Sequence, residues 1–268
     1  MMTTKLKILV VTDLHAAKAL YQELGRVVKL ERPDVVALGG DFLDAALERS
    51  GRLSPGECAG VLSKLACQDV VFVRGNHEDY GWWEFAAAWD ETGRGLNALH
   101  GEVFVKGPLA VLGFPCSMGD ETAYLGVRES LPTDMDGWLP GVVRANGAAA
   151  RTLWLMHEPP ANTPLSQPAG PVMGNAQWNE AIDRFSPWLT VSGHDHRSPG
   201  INKRWYCRLG QTVCVNVGQT DGGPLHYCVI EGEFPGSQPC LPFRLTVTAY
   251  PWRRSITLPP GTDKLASQ

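Results

Sequence analysis

Two imidazoles two residues apart, in Gly193-His194-Asp195-His196, are the clearest chemical feature of this 268-residue sequence. Four earlier segments supply complementary groups: Asp13-Leu14-His15, Gly40-Asp41 with Asp44 behind it, Gly75-Asn76-His77-Glu78, and His157 ahead of Glu158-Pro159-Pro160. In extended backbone, residues two apart point to the same side. Asp13 with His15, and His194 with His196, can therefore each offer two donors together. Imidazole mixed with carboxylate favours borderline transition ions over calcium or magnesium, which take oxygen. Manganese, iron, zinc and nickel all fit. Two such ions roughly 3.5–4 Å apart acidify water and clamp the oxygens of an in-line displacement at phosphorus. The residues thus point to a two-metal hydrolytic site for a small phosphoester substrate.

Each segment follows an apolar run of strand length, at residues 7–12, 35–38, 70–73, 152–156 and 189–192. Helical patterns at 19–31 and 59–66 separate the first three runs, which is the βαβαβ order of an α/β sheet. Polar residues at the carboxyl ends of successive strands converge on one edge of such a sheet. Beyond Gly81 the pattern predicts a helix to about Gly93, then a hairpin over 98–114 turning at Lys106-Gly107-Pro108. Further strands are expected at 205–209, 213–217, 227–231 and 243–249. Residues 115–141 and 158–174 are rich in Gly, Pro and polar residues and read as loops over the site. One domain is expected over residues 1–250, with 251–268 a peripheral tail.

A net charge of -4 argues against a phosphate-tracking surface, and the basic spots Lys203-Arg204 and Arg253-Arg254 read as solvated charge. No apolar run approaches the roughly 20 residues of a membrane span. The start shows no signal-peptide core, so a cytoplasmic location is expected. Seven scattered cysteines without a Cys-x-x-Cys pair read as reduced packing residues. Trp82-Trp83 reads as packing first and pocket lining second, and His100 and His226 as structural or exposed. Phosphate-loop, serine-elbow and cysteine-nucleophile patterns do not occur.

The five segments in order resemble the signature of the calcineurin-like metallophosphoesterase superfamily: Asp-x-His, Gly-Asp-x-x-Asp, Gly-Asn-His-Asp/Glu, His, and Gly-His-x-His. The match spans Asp13 to His196, and Asn216-Val217-Gly218 is similar to the Asn-x-Gly segment that often follows. The resemblance implies a four-layer αββα sandwich with two central mixed β-sheets flanked by helices. It also implies that Asp13, His15, Asp41 and His196 hold one metal and Asp41, Asn76, His157 and His194 the other, with Asp41 bridging. His77 would stand near the leaving-group oxygen as proton donor or charge stabiliser rather than as a ligand. Asp44, Glu78, Glu158 and Asp195 are candidates to orient ligating imidazoles. Each has an alternative as a surface or capping carboxylate.

The expected reaction is hydrolysis of a phosphodiester by a metal-bridging hydroxide, without a covalent enzyme intermediate. The nearest alternative is a phosphomonoesterase of the protein-phosphatase kind, which shares Gly-Asn-His-Glu. Those enzymes continue as Gly-Asp-x-Val-Asp-Arg-Gly, whereas this chain reads Gly40-Asp41-Phe42-Leu43-Asp44-Ala45-Ala46. A nuclease would use the same chemistry but sits poorly with the acidic balance. A non-catalytic scaffold would be expected to show replaced ligands, and every ligand type is intact here.

Overall fold

The computed structural model describes residues 3–44, 50–78, 81–99, 101–114, 152–167, 174–220, 222–237, 240–242 and 244–258. Strands β1 (Thr3–Val11), β2 (Val35–Gly39), β3 (Asp69–Val73) and β4 (Asn97–Ala98) run parallel. They alternate with helices α1 (Lys18–Glu31), α2 (Pro55–Leu62) and α3 (Trp82–Asp90). Antiparallel β11 (Tyr227–Pro235), β12 (Arg244–Tyr250) and β13 (Arg254–Leu258) complete a seven-stranded sheet ordered β13-β12-β11-β1-β2-β3-β4.

The second sheet has six strands: β5 (Val103–Lys106), β6 (Leu109–Phe114), β7 (Leu153–Met156), β8 (Leu189–Ser192), β9 (Tyr206–Leu209) and β10 (Thr212–Asn216). Their order is β5-β6-β7-β8-β10-β9, with β6, β7, β8 and β10 parallel. Helix α4 (Ala176–Phe185) packs on this sheet, and the short α5 (Ser198–Asn202) follows the histidine pair.

Strands β2, β7, β8 and β10 are buried along their whole length, as expected where both faces of a sheet are covered. Alternation then sorts the side chains into layers. Leu9, Val36 and Leu38 face α1 to α3, whereas Ile8, Val10, Val35 and Ala37 meet Leu153, Leu155, Leu189 and Val213 of the other sheet. Trp154 and Met156 point outward onto Trp178 and Ile182 of α4. Helices, sheet, sheet and helix thus form the expected αββα sandwich. Among the described residues no helix is long and apolar enough to cross a membrane.

Several boundaries differ from the sequence reading. Helix α2 begins at Pro55 and ends at Leu62 rather than spanning 59–66, because Ser54 and Glu57 form a reciprocal capping box with proline in the first turn. Residues 97–98 leave the expected hairpin and pair with β3, so the hairpin itself is β5 and β6, turning after Lys106 as expected. Strands β1 and β11 both run longer, since the mostly polar residues 3–7 pair with 231–235. Helices α4 and α5 have no counterpart in the sequence reading. Residues 254–258, read as tail, form an edge strand on β12, while 259–268 lie outside the described residues. So do the 115–141 loop, residues 168–173 of the other loop, and His100. Trp82, Trp89, Trp154 and Trp178 pack in the core, and Trp83 is exposed at the start of α3. His226 is buried, with Nδ1 3.1 Å from the Val217 carbonyl.

Candidate metal centre

All seven expected ligands lie on loops leaving the carboxyl ends of parallel strands: β1, β2 and β3 in one sheet, β7 and β8 in the other. The loops after β1 and β2 stay side by side beyond their strands. Asp13 N donates to Gly40 O at 2.9 Å and His15 N to Asp41 O at 2.7 Å. Asp13, His15, Asp41 and His194 all adopt positive φ, between 44° and 63°. Such backbone costs a non-glycine residue about 1–3 kcal/mol and persists only where surroundings over-determine it. Here the surroundings are the site itself: the Asp13 carboxylate accepts the His194 amide at 2.9 Å, and Gly193 N donates to His157 O at 2.8 Å.

The side chains gather into two donor groups, Asp13 with His15 and His196, and Asp41 with His157 and His194. In the first, His15 Nε2 and His196 Nε2 face each other at 3.2 Å, with Asp13 Oδ1 3.4 Å from His196 Nε2. In the second, Asn76 Oδ1 lies 3.0 Å from His157 Nε2 and 3.1 Å from His194 Nδ1. Metal bonds of about 2.0–2.1 Å at tetrahedral angles set neighbouring donors about 3.3 Å apart, so these spacings suit a central cation. Asp41 Oδ2 lies 3.4 Å from His157 Nε2 and 4.0 Å from His15 Nε2, so one oxygen faces both groups. Its other oxygen accepts the His77 amide at 2.8 Å.

Burial penalises charge on Asp13 and Asp41, yet the surrounding histidines hold both carboxyls below the usual range. Burial also opposes an imidazolium at His157, but Asp41 overrides it and pushes His157 up to about 10. Burial, then His157, push His194 down to about 4. Two buried carboxylates thus stay ionised and draw one cation into their midst. Metal binding would require the ligating imidazoles in their neutral form.

His77 belongs to neither of these two groups, although its ring meets that of His15 edge-on at 4.5 Å between centroids. Its Nδ1 lies 3.3 Å from Asp44 Oδ1, while Nε2 is 4.0 Å from Asp41 Oδ2. Asp44 is also paired with Arg52, whose Nε lies 3.2 Å from Asp44 Oδ2 and whose guanidinium donates to the His15 carbonyl. His15, Asp44 and His77 could hold an ion as a third group.

Such paired donor groups on strand ends invite comparison with known proteins, and residues 6–198 match the model of the calcineurin-like phosphoesterase family. The chain belongs to that family. No curated protein matches it by sequence. Among solved structures, a dimetal phosphatase from Danio rerio superposes with TM-score 0.62 at 12% identity, over 96% of this chain and 99% of that one. The TT1561 protein of Thermus thermophilus gives 0.57 at 15%, over 96% and 99%. GAP50, the anchor in the inner membrane complex of Plasmodium, gives 0.58 at 13%, over 97% and 90%. At these identities the likeness is one of fold.

Within this family member the acidic neighbours divide: Asp44 faces an imidazole, Glu78 and Asp195 accept backbone amides, and for Asp195 this is the capping alternative given above. Glu78 orients no imidazole. It is fully buried and accepts the amides of Asp41 and Leu43, each at 2.8 Å, and of Gly75, tying the loop after β2 to that after β3. Burial and the Asp41 charge push its carboxyl up to about 8. Asp195 likewise turns away from the ligands and caps α5, accepting Arg197 N, Ser198 N and Ser198 Oγ. Asp44 does orient an imidazole, but that of His77. Glu158 is buried beside His157.

Two residues matter more than their motifs suggested. Asn216, known from the sequence only as part of Asn-x-Gly, sends Nδ2 to the carbonyls of Gly193 (3.2 Å) and Asp195 (3.1 Å) and so holds the histidine loop from β10. Gly75 leaves room for the second donor group. A Cβ there would fall on Asp41 Oδ1, 2.6 Å from His157 Cε1 and 2.7 Å from Asp41 N. Gly75→Ala is therefore expected to lower metal affinity and turnover together. The control Gly25→Ala, inside α1 with nothing within 4 Å, should stabilise the chain by about 0.5–1 kcal/mol. Metal titrations and thermal melts of the two variants check the pair, and unchanged metal binding in Gly75→Ala would contradict the packing described.

Proposed function

We propose that the chain is a binuclear metal-dependent phosphoesterase that prefers phosphodiesters. The observation that carries this reading is the meeting of two donor groups at a single oxygen, Asp41 Oδ2. Asp13, His15, Asp41 and His196 would hold one cation, and Asp41, Asn76, His157 and His194 the other. Bound cations neutralise the phosphoester and make water a nucleophile at neutral pH. Iron, zinc, manganese and nickel suit the donors.

The protein's own part is to orient and to move a proton. With Nδ1 turned toward Asp44, His77 presents Nε2 as the atom that protonates the departing oxygen, a role imidazole performs near neutral pH. Asp44 fixes the ring, and Arg52 fixes Asp44. A diester carries one negative charge, so it needs no dedicated cation beyond these. A terminal monoester carries two, and arginine pairs usually capture it. Arg52 is committed to Asp44 and Arg74 sits over the Trp82 ring at 5.2 Å. Arg197 is exposed, and Arg128 lies outside the described residues.

The test is kcat/KM for bis(4-nitrophenyl) phosphate and 4-nitrophenyl phosphate, which share a leaving group, with apo-protein loaded separately with manganese, iron, zinc and nickel. The diester is expected to be faster with every active metal. A monoester preference of about tenfold or more, roughly 1.4 kcal/mol of barrier, would make the protein a phosphatase instead.

A further inference from the structure

Two of the cysteines lie directly opposite each other. In the β9–β10 hairpin, Cys207 and Cys214 are Cα partners in the antiparallel register. Such partners lie about 4.5–5.5 Å apart, inside the roughly 4.4–6.8 Å range a disulfide spans. Both side chains are on the α4 side of the sheet, Cys214 in the apolar cluster and Cys207 packed against it. Both are free thiols. Among the described residues no other strand pairing sets two cysteines in register.

The two thiols are chemically unequal. Contact with Cys214 holds Cys207 below the usual thiol range, and the same contact, with burial, pushes Cys214 above it. Cys207 is half-buried on an edge strand, and Cys214 is fully buried. Thr163 reaches the Cys207 thiol and also lines a surface cavity of about 540 Å³ with Ser166, Asn202 and Arg204. An attacking thiolate that reagents can reach, with a resolving thiol behind it, is the arrangement that oxidises selectively. By contrast, Cys58 and Cys228 are fully buried, and Cys228 has Val10 and Ala249 as its strand partners rather than a cysteine.

We infer that Cys207 and Cys214 are a redox-active dithiol that closes to a disulfide under a disulfide oxidant such as oxidised glutathione, and that this bond reaches the histidine loop. Cys207 thiolate attacks the oxidant, whose S–S bond breaks and releases one reduced glutathione, leaving a mixed disulfide. Cys214 then loses its proton and attacks the Cys207 sulfur, expelling the second reduced glutathione. Two electrons pass from the protein to the oxidant, and one protein disulfide forms. The cross-link lies two residues before Asn216 on the same face of β10, and Asn216 carries the Gly193 and Asp195 carbonyls.

The test treats the folded, metal-loaded chain with oxidised glutathione, blocks remaining thiols, and maps peptides by mass spectrometry. A 207–214 disulfide peptide that disappears on adding reduced glutathione is expected, with Cys214→Ser trapping glutathione on Cys207. In the same samples, hydrolysis should fall about twofold or more and recover on reduction, while Cys207→Ser and Cys207→Ala show neither change. Alkylation of both thiols after oxidation, with no linked peptide, overturns the dithiol. Full cross-linking with unchanged hydrolysis overturns its link to the histidine loop. The peptide map needs no phosphoesterase activity, so failure of the proposed function is read separately.

Discussion

Replacing Asp41 with asparagine is expected to abolish most hydrolysis and to lower the metal content of the chain. Asp41 Oδ2 faces both donor groups, and Oδ1 is already held by the His77 amide. An amide in its place keeps the shape and loses the charge that two cations would share. Losing one electrostatic contact to the transition state typically costs about 10²–10³-fold in rate, and losing the charge shared by two cations should cost at least about 10²-fold. Metal analysis beside a thermal melt separates this from unfolding. A variant with two metals per chain and undiminished turnover would refute the bridging role.

Loss of the His77 imidazole is expected to act differently. His77→Ala should cut kcat by about 10²–10⁴-fold, the usual worth of a general acid, while two metals stay bound. The deficit should shrink for substrates with acidic leaving groups, which need little protonation. Arg52→Gln should show the same leaving-group pattern with a loss of about tenfold, since Asp44 remains but is less firmly held. Loss of one metal equivalent in His77→Ala would instead make His77 a ligand, in keeping with the third donor group it forms with His15 and Asp44.

The residues that gather into the two donor groups were legible because their chemistry is local to short segments, each closing an apolar strand. Asp13, His15, His194 and His196 were drawn together by their two-residue spacing and by the five segments in order, whereas the layers came from the family resemblance, since β2 and β7 are buried along their whole length. What escaped the sequence depends on contacts between distant segments. Arg52 reaches Asp44 because residues 16–18 and 51–53 run beside one another, and no spacing rule announces that. Glu78 and Asp195 share the residue type of an imidazole partner, but the backbone amides nearest them take their oxygens first. Strand β13 is short, half-exposed and polar at alternate positions, so its pattern resembles a tail until β12 is there to pair with it. The Cys207–Cys214 pair was hidden because its register depends on where the turn at Gly210 falls.

The central claim is a site for two cations joined at Asp41, and the most direct measurement is native mass spectrometry of the apo-protein titrated with manganese while diester hydrolysis is followed. Two ions should bind per chain, with hydrolysis rising to its plateau at the second equivalent. Saturation at a single ion, or full hydrolysis with none bound, would contradict it.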